Sequence, residues 1–177
     1  MSEHQNNVDL LANLPADLRR AIDSESKELA DSLVATGDLM LPLLKFHLLA
    51  ERALERLILA QLPRGDRLLT GARLNFAQKL ALVNAFDTIP DAAVQALRQV
   101  NRVRNQCSHV RAKAITLDDI DRIGQSLGPE YRQIKFKYAH DLPGLLVRTL
   151  INVYIPYLRA NLRAEAAISG PEKAQSK

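Results

Sequence analysis

The stretch between positions 39 and 62 constrains this chain more than any other. It is the longest apolar run, and Leu43, Leu44, Phe46, Leu48, Leu54, Leu57 and Ile58 spread over more than one face of a helix. A surface helix needs a single apolar stripe, so a helix apolar on several sides belongs at the centre of a bundle. Lys45, His47, Glu51, Arg52, Glu55 and Arg56 interrupt the run, and that many polar groups exclude an ordinary membrane span. The rest of the chain must therefore supply partners for this helix. Glycine is scarce, at 7 of 177 residues, and no alternating strand pattern is present, so the expected class is all-α.

Helix start and stop signals divide the chain. Leu18, Ile22, Leu29, Leu33 and Val34 are thinly spaced among charges and predict a surface helix over residues 15–36. Gly37-Asp38 breaks it, and Asp38 is placed to cap the central helix, 39–61. Pro63-Arg64-Gly65-Asp66 then opens what reads as an irregular loop to about residue 74. Asn75-Phe76-Ala77-Gln78 has the form of a capping box and starts a third helix reaching about 86. Pro90 opens a fourth, running to about 109, and Thr116 caps a short fifth that stops near Gly128. Pro143 begins a last long helix, interrupted or kinked near Pro156 and finished by about 168. The prediction is a compact bundle of about five to six helices. Residues 1–14 are expected to be a flexible leading segment, 15–168 one helical domain, and 169–177 a disordered tail.

Charge is unevenly distributed. Residues 1–38 hold 3 basic and 8 acidic side chains, residues 39–115 hold 12 and 5, and the remainder 9 and 7. A basic middle behind an acidic start suits either self-complementary packing or a face turned toward a polyanion. Cys107 is the only cysteine, so no internal disulfide can form, and a reducing cytoplasm is the expected location.

The basic middle contains the segment with most chemical content, Arg104-Asn105-Gln106-Cys107-Ser108-His109. Between Asp91 and Asp118 lie Arg98, Arg102, Arg104, Arg111 and Lys113 with no acid among them. At 100° per residue, Ala93, Ala96, Val100, Val103, Cys107 and Val110 form the core face of the fourth helix. Arg98, Asn101, Arg102, Asn105 and His109 lie opposite, and Arg104 falls on the border. A guanidinium beside an imidazole that trades protons near pH 7 suits chemistry on a phosphate ester. The same residues also suit a polar helix end, with His109 near the last carbonyls and Arg104 paired with Glu51 or Glu55. A five-residue step turns about 140°, so Arg104 and His109 cannot address one atom from a straight helix. Either the helix ends before His109, or two chains bring their motifs together across a two-fold axis.

Other sites are less supported. Cys107 lies on the core face, which argues against a thiol nucleophile. His4, His47, His109 and His140 are scattered, so no metal is expected, and His47, Glu51 and Glu55 align at four-residue steps as a polar seam. No phosphate-binding glycine loop is present, and no cofactor is expected.

The motif Arg-Asn-x-x-x-His, with the central helix bearing Glu51-Arg52-Ala53-Leu54-Glu55-Arg56 and the segment Leu74-Asn75-Phe76-Ala77-Gln78-Lys79-Leu80, resembles the HEPN superfamily over about residues 40–112. This resemblance implies a HEPN-like all-α domain working as a homodimer, with two motifs pooled in one cleft. It also implies a metal-independent endoribonuclease of the toxin or defence type, held in check by an antitoxin or regulatory partner. His109 would serve as general base or acid on the ribose 2′-hydroxyl, and Arg104 would hold the scissile phosphate. Asn105 would orient the histidine or the phosphate, and Glu51 would add a carboxylate. Arg98, Arg102, Arg111 and Lys113 would attract the RNA backbone in a salt-sensitive way. The product would carry a 2′,3′-cyclic phosphate. Some of the same features resemble mannitol-repressor-like proteins, and that likeness implies a non-catalytic regulatory or interaction module instead.

Overall fold

The computed structural model describes residues 16–33, 38–109 and 114–169. Among these residues helices joined by short turns are the only regular structure, with no strand. Helices α1 (Ala16–Leu33), α2 (Met40–Gln61), α3 (Gly65–Ala72), α4 (Phe76–Ala85) and α5 (Asp91–His109) are followed by α6 (Leu117–Gly124). A 3₁₀ turn (Gln125–Leu127), α7 (Pro129–Lys137) and α8 (Leu142–Ser169) complete the order.

The central position of α2 follows from its apolar surface. It lies along α8 and is flanked by α1, α3, α4 and α5. Leu43, Phe46, Ala50, Leu54, Leu57 and Ile58 are all buried there. The opposing face of α8 supplies Leu145, Leu146, Leu150, Val153 and Tyr157. Asn161 on α8 donates to the Ala53 carbonyl of α2 at 3.3 Å, fixing the two long helices in register. Core side chains of α5 are Ala93, Val94, Ala96, Leu97, Val100 and Val103, an i, i+3, i+4 set facing inward.

The caps match the local sequence chemistry. Asn75 accepts from the Gln78 backbone at 3.0 Å while the Gln78 side chain accepts from the Asn75 N–H at 2.9 Å. The reciprocal pair satisfies donors that the first turn of α4 would otherwise leave open. Thr116 and Asp119 make the same box at α6. Asp38 accepts from the Met40 N–H at 2.8 Å.

Two elements correct the expected count of five to six helices. The segment read as an irregular loop contains α3, whose first residue, Gly65, lies against α2; a Cβ there would stand 2.8 Å from the Ile58 carbonyl oxygen. The glycine that reads as a breaker is a close-packing residue. Helix α7 starts at Pro129 immediately after Gly128, whose φ of +62° suits glycine alone. The last helix is continuous through Pro156. Its end at Ser169 takes the first residue of the expected tail, while 170–177 and the leading 1–14 segment lie outside the described residues. No helix among the described residues is long and apolar enough to cross a membrane.

Candidate functional site

The polar residues singled out in the sequence converge where α2, α4 and α5 meet. Four-residue steps put His47, Glu51 and Glu55 on one side of α2. Lys79 reaches them from α4, and Asn101 and Arg104 approach His47 from α5.

Lys79 ties the seam together. Its ammonium donates to Glu51 Oε1 at 2.7 Å and to Glu55 Oε1 at 2.6 Å. The lysine side chain is only 10% exposed, against 28% and 38% for the two glutamates, so the pair is partly shielded from water. Burial by itself would lower the Lys79 pKa, but the hydrogen bonds to Glu51 and Glu55 outweigh it and hold the group above its usual value. Glu51 and Glu55 thus each point an oxygen at Lys79 of α4.

His47 is buried one turn away. Its ring stacks on Phe76 with centroids 4.2 Å apart, and Nε2 lies 3.1 Å from Asn101 Oδ1. An amide oxygen can only accept, so Nε2 carries the proton. Burial pushes the His47 pKa down; the Asn101 bond opposes this, the nearby Arg104 charge adds to it, and Glu51 offsets it in part. The imidazole is therefore held neutral as a bridge between α2 and α5.

Arg104 is half-buried at the border of the core face, and its Nη1 donates to Asn105 Oδ1 at 3.1 Å. Asn105 thus acts on the arginine, aligning the guanidinium from the next residue. Arg98 and Arg102 are exposed on α5 and meet solvent, as their positions on the helix wheel require. Helix α5 includes His109, so the backbone does not break ahead of the histidine. The His109 side chain, together with Arg111 and Lys113, lies outside the described residues. Cys107 is partly buried and packs against the core. No three His, Cys, Asp or Glu side chains among the described residues cluster as a metal-binding group.

Two residues of this site had weak signals in the sequence. Lys79 could have been found as the one cation of α4, placed early in the helix that follows the central one. Asn101 could have been paired with His47 had both been read as inward-facing. No family model, curated protein or solved structure compared with the chain matches it.

Proposed function

We propose that this chain is a HEPN-like, metal-independent endoribonuclease of the toxin or defence type in which Arg104 and His109 act on one phosphodiester. The observation that carries the reading is the Arg104–Asn105 pair near the end of α5: a half-buried guanidinium aligned by its neighbour, on a helix whose exposed face also carries Arg98 and Arg102. A partly shielded guanidinium stabilises charge developing on a phosphate more effectively than one in open water. His109 accepts the ribose 2′-hydroxyl proton, the oxygen attacks the adjacent phosphorus, and the 5′-oxygen leaves with a proton from an imidazolium. The outcome is a 2′,3′-cyclic phosphate and a free 5′-hydroxyl, without a change in redox state. Helix α5 is continuous through His109, so its five-residue step favours a two-fold dimer in which the two motifs are pooled. Such an enzyme works in the cytoplasm and needs an antitoxin or regulatory protein to restrain it. Within this scheme Glu51, bonded to Lys79, positions α2 against α4.

A second reading has its own support. Glu51, Glu55, Lys79, His47 and Asn101 satisfy one another across three helices, which is what a non-catalytic, mannitol-repressor-like module requires. Purified protein incubated with mixed RNA and a chelator separates the two. Cleavage that is lost in both Arg104→Ala and His109→Ala supports the enzyme. Intact RNA at several salt concentrations, from a dimeric and fully folded sample, supports the module.

A further inference from the structure

Helix α7 carries a second surface whose residues have no part in the Arg104 region. Its residue Phe136 is 89% exposed, the most exposed large apolar side chain described. Arg132 precedes it by one turn on the same face, and Lys137 follows it. From Pro129 to Arg148 the chain has four cations, Arg132, Lys135, Lys137 and Arg148, against two carboxylates, Glu130 and Asp141.

The helix beneath this surface is firmly held. Tyr131 is buried against Gly124 of α6, and its hydroxyl donates to Asp121 Oδ1 at 2.5 Å. Lys135 donates to the other oxygen of Asp121 at 2.8 Å. Tyr138 lies near two cations, with Lys137 Nζ at 5.8 Å and the Arg148 guanidinium at 6.0 Å from its ring centre. Arg148 Nε also donates to the Tyr138 hydroxyl at 3.0 Å. These contacts fix the Phe136 backbone while leaving both faces of its ring in solvent.

We infer that Phe136, bracketed by Arg132 and Lys137, is a stacking platform for single-stranded RNA. One ring face holds one base, and the exposed cations nearby, Arg132 on the same face and Lys137 next in the chain, meet neighbouring phosphates. A lipid surface is less well matched, because membrane insertion needs several adjoining apolar groups. Ile134 is partly buried and Tyr131 fully so, which leaves Phe136 as the exposed large apolar side chain of α7. The choice of RNA as ligand rests on the function proposed above; the residues that bind it do not.

The chain has no tryptophan, so Phe136→Trp places a single indole at the platform. Titration of that variant with oligouridine in a chelator should quench the indole emission, with affinity close to that of the unaltered protein. Phe136→Ala should bind oligouridine about tenfold more weakly while its affinity for duplex RNA is unchanged, because duplex bases offer no open face. Arg132→Ala with Lys137→Ala should lower the slope of log affinity against log salt by about one to two. Unchanged oligouridine binding by Phe136→Ala overturns the inference. So does an indole that ignores oligouridine but shifts to the blue with phosphatidylserine vesicles. Loss of binding in Phe136→Ala by a protein that never cleaves RNA would leave this surface standing and remove the nuclease. Chelator-resistant cleavage with no effect at Phe136 would do the reverse.

Discussion

Replacing Lys79 with methionine tests the reason α2 and α4 meet as they do. Methionine keeps the unbranched stem that packs between the helices, so little cavity cost arises and the change isolates the charge. Two charge-assisted hydrogen bonds disappear, at 2.7 Å to Glu51 and 2.6 Å to Glu55. Bonds of this kind contribute about 1.5–3 kcal/mol each when buried, and stripping one partner from a buried pair costs about 3–5 kcal/mol. The glutamates are 28% and 38% exposed, however, so water recovers part of that loss. The two stranded carboxylates stand one helical turn apart and repel each other. Discounted for this exposure, the expected destabilisation is about 2 kcal/mol. Urea denaturation followed by helical circular dichroism should show a lower midpoint with an unchanged slope. Adding Glu51→Gln and Glu55→Gln to Lys79→Met should restore about 1 kcal/mol by removing the uncompensated charges. A Lys79→Met protein within about 0.5 kcal/mol of the original would show the seam to be screened surface decoration.

Acid should weaken the fold through His47, whose folded pKa lies below its ordinary value of 6.5. Its contribution is complete above that value and is lost as pH falls through the folded pKa, because the unfolded chain takes up the proton first. Urea midpoints should therefore drop below pH 6.5, and His47→Phe should flatten that part of the profile. Gly124→Ala should destabilise by about 2 kcal/mol or more, since the new methyl would sit 2.2 Å from the Tyr131 ring and push that side chain off Asp121. Thermal melts of the variant should fall accordingly, and an unchanged melt would contradict the packing. Tyr157 is fully buried, and its hydroxyl has no hydrogen-bond partner among the described residues. Tyr157→Phe should thus be neutral or stabilising by up to about 1 kcal/mol, and a loss of stability would reveal a partner for that hydroxyl.

Much of the bundle is legible in the sequence because local chemistry and packing agree. The Asn75–Gln78 and Thr116–Asp119 caps, the several-sided apolar surface of α2 and the inward row from Ala93 to Val103 are each decided within a few residues of chain. What sequence reasoning misses depends on distant partners. Gly65 looks like a stop until the Ile58 carbonyl lies under it. Prolines at 129 and 143 can each open a helix, and only α6, packed on Tyr131, shows that the first does. The helix wheel puts Asn101 on the polar side, but not that the side chain meets His47 of α2. The His47, Glu51 and Glu55 row is visible as a pattern, yet the cation that bonds both glutamates, Lys79, comes from α4. Arg104, on the border of the core face by its angle, is half-buried in the fold.

The nuclease account is tested most directly by the ends of the RNA it leaves. Mass spectrometry of an oligoribonucleotide treated in a chelator should find a 2′,3′-cyclic phosphate on one fragment and a 5′-hydroxyl on the other, with neither formed by His109→Ala. Fragments ending in 3′-hydroxyl and 5′-phosphate, or cyclic ends that persist in the His109→Ala protein, would contradict it.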